Sequence, residues 1–257
     1  MKYRIVMADV DGTLVAPGDM TTKSISPRLI EAVSKARALG VIFSIATARY
    51  LEQIKPLISI LKLNSPVIID NGARIYDCMV EKYIYNSYLE EVKVNEILSI
   101  VGKLPFKVYV DESEKRHTFD PANPVKYNDV VKIVILHITP YEAQEVFKTV
   151  SRIENIMATK SVSGINPVKE SIHITSSDGA KEKSLKRIAD LSGVNMEQVM
   201  AIGDSYNDFS IMTASGFKVA VGNAVPEIKA IADYIAPTFD QDAVAHILEK
   251  FVLSEDE

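Results

Sequence analysis

Short apolar runs and longer amphipathic stretches alternate along the first eighty residues. RIVMADV (4–10) is apolar at consecutive positions, as in a strand buried on both faces. SPRLIEAVSKARALG (26–40) instead spaces its apolar residues by three and four, with Ser26 and Pro27 suited to a helix start and Gly40 to a helix stop. VIFSIATAR (41–49) reads as a second buried strand. YLEQIKPLISILKL (50–63) reads as a second helix in which Pro56 marks a kink or a first turn, and PVIIDNGA (66–73) as a third strand ending in a turn. Strand, helix, strand, helix, strand predicts a parallel sheet covered by helices.

After residue 80 the texture changes. KYIYNSY, FKVYVDE, VVKIVILHIT and SIHIT are richer in aromatic and β-branched residues, and helical spacing recurs over 89–104 and 140–153. The first pattern resumes with AKEKSLKRIADLSGV, VMAIGDSYND and KVAVGNA. The expected organisation is an α/β core made of residues 1–80 and 178–257, interrupted by an α+β cap domain over 81–177. The two junctions carry no long Gly/Ser linker, so they suit a hinge. A hinged cap over the carboxyl ends of parallel strands encloses the place where open α/β sheets bind ligands.

Composition narrows the partners. At 257 residues, with 47% hydrophobic and 25% charged positions, the chain has the make-up of an ordinary globular protein. Its net charge of −5 offers no basic footprint for nucleic acid. Cys78 is the only cysteine, which excludes an intrachain disulfide framework and a multi-thiolate zinc site and fits a reducing, cytoplasmic compartment. Acids interrupt the first apolar run too early for a signal peptide, and no window approaches the ~18 apolar residues of a membrane span. The acidic tail SEDE reads as a solvated terminus. Nothing in the sequence separates a monomer from a small homo-oligomer.

The candidate chemistry begins in MADVDGTLV (7–15). Asp9 and Asp11 are two apart in an extended segment, so both can face one crevice past the first strand. Two such carboxylates repel unless a cation accompanies them or one stays protonated. An Asp-Gly turn is also common at a strand end with no chemistry attached. IGDSYND (202–208) repeats the arrangement: an apolar run, then Asp204, Asn207 and Asp208. If a helix begins there, Asp204 and Asp208 share a face at i, i+4. Oxygen-rich clusters of this kind suit magnesium, although a helix cap explains the same residues. Thr47 follows the second strand, where a hydroxyl and neighbouring amides suit phosphoryl oxygens or merely a turn. Lys181 lies near a predicted helix start, where a cation is unfavourable unless an anion relieves it. His117, His137, His173 and His246 show no ligand spacing, and His173 lies close to the core junction.

Taken together, DVDGT, Thr47, Lys181 and GDSYND resemble, in order, the four motifs of the haloacid dehalogenase superfamily phosphatases. The cap's position between the second and third motifs resembles the Cof-type, or IIB, group, which includes sugar phosphatases and archaeal phosphoglycolate phosphatases. Two departures stand out: Thr47-Ala48-Arg49 where the family has Thr-Gly-Arg, and Asp242-Ala243-Val244 where it has Asp-Gly-Val.

The resemblance implies a Rossmann-like core and a phosphomonoester hydrolase acting through an aspartyl-phosphate. Asp9 is then the nucleophile and Asp11 the acid and base. Magnesium is held by Asp9, Asp204, the backbone carbonyl of Asp11, and Asp208 directly or through water. Thr47, Lys181 and Asn207 surround the transferring group, and Arg49, Asn71 and Gly72 bind substrate oxygens near the cap. The expected partner is a small phosphorylated metabolite, phosphoglycolate or a sugar phosphate, with no nucleic acid or membrane involved. A phosphomutase uses the same nucleophile, and a receiver-like or non-catalytic phosphate-binding module shares some of the groups. A receiver, however, is about half this length and carries no inserted domain.

Overall fold

The computed structural model describes residues 2–123, 125–163, 166 and 168–254. The last three residues of the acidic tail fall outside them. The chain runs β1 (Ile5–Ala8), α1 (Pro27–Ala38), β2 (Ile42–Ile45), α2 (Leu51–Ile60), β3 (Pro66–Ile69), β4 (Arg74–Asp77) and β5 (Lys82–Asn86). An inserted stretch follows, with α3 (Glu91–Val101), β6 (Val108–Glu112), β7 (Arg116–Thr118), β8 (Val130–Ile138), α4 (Pro140–Val150), β9 (Ile156–Val162) and β10 (Glu170–Ser176). It returns through α5 (Lys181–Leu191), β11 (Val199–Gly203), α6 (Phe209–Ala214), β12 (Phe217–Ala220), α7 (Pro226–Ile231), β13 (Tyr234–Ile235) and α8 (Ala243–Leu248).

The first sheet has the order β13-β12-β11-β1-β2, all parallel. β3 continues it beyond β2 through a parallel bridge between Ala46 and Ile68. All four residues of β1 are buried, as an apolar strand covered on both faces requires. Ser26 accepts a hydrogen bond from the Leu29 amide and Pro27 opens α1, as the sequence predicts. Pro56 instead lies within α2, which extends on both sides of it.

The chain fills this sheet outward from β1 on one side and, after the insertion, outward from β11 on the other. β1 and β11 are neighbours whose connections leave in opposite directions. The crevice at their carboxyl ends is therefore where such a sheet accepts a ligand. No helix among the described residues is long and apolar enough to cross a membrane.

β5, expected in the inserted unit, pairs with β4, and β4 pairs with β3, both antiparallel. Its Tyr85 packs on the core of the first sheet. An aromatic, β-branched texture predicts a strand but not which sheet the strand joins.

The inserted sheet has the order β7-β6-β8-β10-β9, all antiparallel. Its register places Tyr109, Val134, His173 and Thr159 in one cross-strand row and Val110, Ile133, Ile174 and Ala158 in the next. Alternate residues face opposite sides, so one face is apolar. That face forms a second core, in which Val110, Ile133 and Ile174 pack with Ile97 of α3 and Val146 of α4. The other face carries Asp111, Lys132, Ser161, Ser171 and His173, a polar surface that needs hydrogen-bonding company.

Candidate active site

Asp9 directly follows β1, and its amide still belongs to the sheet, donating to the Ile202 carbonyl at 2.9 Å. Lys181 opens α5, and its Nζ lies 2.8 Å from Asp9 Oδ1 and 2.8 Å from Asp208 Oδ1. The three side chains are almost completely buried. Gly72 explains how the helix start comes so close: its φ is +106°, and a Cβ there would strike the backbone of Ala180 and Lys181. The Gly72 carbonyl also accepts from Ser184 Oγ at 2.7 Å.

The second acidic motif departs from the expected helical face. Tyr206–Asp208 is a 3₁₀ turn ahead of α6, and Asp208 Oδ2 folds back to accept the amides of Asp204 and Ser205, each at 3.1 Å. Local amides at the turn compete with the regular spacing and win. Asp204 is set from the first motif: Thr13 Oγ1 donates to its Oδ1 at 3.2 Å. A Cβ on Gly12, whose φ is +80°, would lie 2.5 Å from Asp204 Oδ2. The Gly-Thr after Asp11 thus makes room for Asp204 and orients it.

One oxygen from each of Asp9, Asp204 and Asp208 lies within 4.8 Å of the others, a group able to hold a metal ion. Its electrostatics fit that use. Burial, with the charge of Asp208 adding and Lys181 opposing, pushes Asp9 up to about 7. Burial and the charges of Asp9 and Asp208 push Asp204 well above the usual carboxylate range. Burial favours a neutral Lys181, but Asp208 and Asp9 outweigh it and hold the ammonium protonated. Counting Asp11 and its partner Arg49, four carboxylates face two cations, an excess of two negative charges. One divalent cation balances it.

Asp11 is engaged away from that group. Arg49 grips it with two nitrogens, Nε to Oδ2 at 2.8 Å and Nη2 to Oδ1 at 2.6 Å, and the Gly18 amide donates to Oδ1 at 2.9 Å. Arg49, expected on substrate oxygens, is thus bound to the neighbouring acid. Thr47 Oγ1 accepts the Arg49 amide at 3.1 Å, the turn role, which leaves its hydroxyl proton to donate elsewhere. Asn207 Nδ2 donates to Asn71 Oδ1 at 3.3 Å, and Asn71 Nδ2 to Thr159 Oγ1 of β9 at 2.6 Å. Asn71 and Gly72 are not among the residues lining the cavity below; they tie the first sheet's loops to β9 and α5.

A cavity of about 280 Å³ lies over the acids. The first sheet contributes Asp9, Asp11, Thr47, Arg49, Asp204 and Asn207, and the inserted sheet roofs it with Lys132, Val134, Ser161, Ser171 and His173. Lys132 was missed by the motif reading. Its signal is a single lysine inside VVKIVILHIT, where the period-two alternation sends it to the face opposite Val131 and Ile133. Its Nζ donates to the Ala48 carbonyl at 2.8 Å and to Asp70 Oδ1 at 3.1 Å. The Val162 amide likewise donates to Ser205 Oγ at 3.0 Å.

Comparison with known proteins agrees with this geometry. The sequence matches the profile of the haloacid dehalogenase-like hydrolases over residues 6–115 and 105–248. It is 26% identical to a pyridoxal phosphate phosphatase of Escherichia coli, covering 96% of this chain and 98% of that protein. It is 28% identical to a phosphoglycolate phosphatase of Methanobrevibacter smithii, covering 98% of this chain and all of the other. In fold it is similar to a haloacid dehalogenase-like hydrolase from Bacillus subtilis, with a TM-score of 0.83 at 20% identity over 96% of this chain and 99% of that one. It is also similar to a subclass IIB sugar phosphatase, with a TM-score of 0.79 at 23% identity over 96% and 98% of the two chains. The chain thus belongs to the haloacid dehalogenase-like hydrolase family, as a phosphatase of the Cof type.

Proposed function

We propose that the protein is a magnesium-dependent hydrolase of a small phosphorylated metabolite, working in the cytoplasm through an aspartyl-phosphate on Asp9. The observation that carries this reading is the buried group of Asp9, Asp204 and Asp208 around Lys181, two negative charges in excess, beneath a roofed cavity of about 280 Å³. A cavity of that size suits a small phosphomonoester and not a phosphoprotein side chain in its backbone.

Asp9 attacks phosphorus while the bond to the leaving oxygen breaks, and Asp11 gives that oxygen its proton. Asp11 then takes a proton from water, the water oxygen bonds to phosphorus, and the Asp9–phosphorus bond breaks to release phosphate. For either transfer Arg49 gives up an Asp11 oxygen. Lys181, Thr47 and Asn207 offer donors to the transferring oxygens. Asp9, Asp204 and the Asp11 carbonyl would hold the magnesium ion. Asp208, held by Lys181 and two amides, would complete the site directly or through water. The ion supplies the missing positive charge and shields Asp9 from the phosphate.

The test is hydrolysis of phenyl phosphate by the whole chain in magnesium buffer, then a panel containing phosphoglycolate, glycerol 3-phosphate and pyridoxal phosphate. Stoichiometric release of inorganic phosphate is expected. Isomerised product without phosphate makes the chain a mutase, and no turnover of any compound overturns the catalytic reading.

A further inference from the structure

The roof of the cavity contains a buried polar atom with no hydrogen-bond partner among the described residues. His173 is 7% exposed and lines the cavity, and its Nε2 lies 3.0 Å from Ser161 Oγ. Its Nδ1 is buried and has no partner among the described residues. A buried ring nitrogen without a partner costs desolvation, which a ligand group that reaches it relieves. The cations of the roof are in use. Lys132 spends its donors on Ala48, Asp70 and Asp111, and Arg116 grips Asp111 with Nε and Nη2 at 2.6 and 2.8 Å.

We propose that His173 is a specificity-determining residue, whose Nδ1 hydrogen-bonds a hydroxyl on the leaving group of the substrate. The inference rests on the phosphatase reading and adds to it the group that selects the alcohol. Three observations favour a hydroxyl. Burial and the charges of Lys132 and Arg116 keep the ring neutral, holding His173 down to about 3. A neutral ring presents Nδ1 as donor or acceptor according to how Ser161 meets Nε2, and a hydroxyl satisfies either tautomer whereas a carboxylate satisfies only the donor. Finally, the cations of this wall, Lys132 and Arg116, are already paired with Asp70 and Asp111, so a carboxylate there competes with those acids. Val134, opposite His173 in the sheet, leaves an apolar neighbour beside the polar contact, a pairing that orients a small ligand.

The experiment compares the whole chain with its His173→Ala and His173→Asn variants on glycerol 3-phosphate, phosphoglycolate and phenyl phosphate, at saturating magnesium. Loss of one hydrogen bond predicts that His173→Ala lowers kcat/KM for glycerol 3-phosphate by about three- to tenfold, chiefly through KM. Phenyl phosphate turnover stays within about twofold, and His173→Asn, which keeps a donor and an acceptor near Nδ1, recovers part of the loss. An equal loss on phenyl phosphate means that His173 is structural and overturns the proposal. So does the absence of any loss, and a loss on phosphoglycolate with none on glycerol 3-phosphate overturns the hydroxyl assignment. If the unaltered chain hydrolyses none of the three, the failure belongs to the phosphatase reading instead.

Discussion

Two lysines lie almost fully buried near one cavity, Lys132 lining its roof and Lys181 against Asp9 on its floor, and each bridges two aspartates. In the first sheet's wall Lys181 sits 2.8 Å from both Asp9 and Asp208; in the roof Lys132 sits 3.1 Å from Asp70 and 3.5 Å from Asp111. Their surroundings differ in the balance of charge. Each aspartate beside Lys132 has an arginine of its own, Arg74 on Asp70 and Arg116 on Asp111. Burial pushes Asp111 up, but Arg116 and Lys132 overcome it and hold the acid below the usual range. Around Lys181 the acids outnumber the cations, and Asp9 and Asp204 are pushed up instead. A buried ion pair is poor evidence for stability in either place. What separates the two is the sign of the excess: Lys132, Arg74 and Arg116 are three cations on two acids, whereas Asp9, Asp204 and Asp208 around Lys181 are short of positive charge.

The comparison predicts its largest divergence in turnover. Asp9→Asn is expected to lower phosphate release from phenyl phosphate by roughly 10⁴-fold or more, with folding intact by circular dichroism, because the attacking oxygen is gone. Lys181→Met should cost about 3–5 kcal/mol in urea unfolding, since it strands two buried carboxylates, and Lys132→Met less, since Arg74 and Arg116 stay on its two acids. Their activities should part: a loss of about 10²–10³-fold for Lys181→Met against less than about tenfold for Lys132→Met. Equal losses in turnover would show that the roof network serves the chemistry directly and would break the distinction.

The charge imbalance has a pH signature of intermediate size. Burial and the charge of Asp208 push Asp9 from the ordinary 3.8 up to about 7 in the folded chain. Between those values the folded chain holds a proton that the unfolded chain has released, so raising the pH through this window removes stability from the metal-free protein. Stability is full below about 4 and least above about 7, a difference on the order of 4 kcal/mol at most, with Asp204 acting in the same direction. Magnesium takes the protons' place only once they leave. Thermal unfolding should therefore show magnesium raising the Tm by several degrees at pH 8 and barely at pH 5. Asp9→Asn should flatten the contrast, and an equal magnesium effect at both pH values would contradict the assignment of the cluster as the metal site.

How legible each wall was in the sequence follows from how local its contacts are. Asp9, Asp11 and Asp204 end apolar runs, and parallel strands bring run ends together, so the acids were readable. Lys181 was readable as a cation at a helix start that needed an anion. The partner of Arg49 was not, because Asp11 lies 38 positions away and only the packing of two loops joins them. Gly72 also admits α5, a steric role that one-dimensional spacing does not carry. The 204–208 spacing pointed to a helix face, and the amides of Asp204 and Ser205 drew Asp208 into a turn. In the roof, the break in apolar alternation at Lys132 marked the polar face, while its acids came from β6 and from the loop after β3.

The smallest effect tests whether the two walls act independently. A chain of three side chains crosses between them, Asn207 to Asn71 to Thr159, with Thr159 on the edge strand of the roof. Thr159→Val keeps the shape and removes the hydroxyl that accepts from Asn71. Unfolding should fall by about 0.5–1.5 kcal/mol, the worth of one hydrogen bond. Because Asn71 also positions Asn207, a residue offered to the transferring oxygens, the same variant should raise KM for phenyl phosphate a few-fold while leaving kcat nearly unchanged. A shift in stability with no shift in KM would mean that the roof rests on the first sheet without steering it. The reverse, a KM effect at constant stability, would mean that the contact forms chiefly when substrate is bound, making closure of the roof part of recognition.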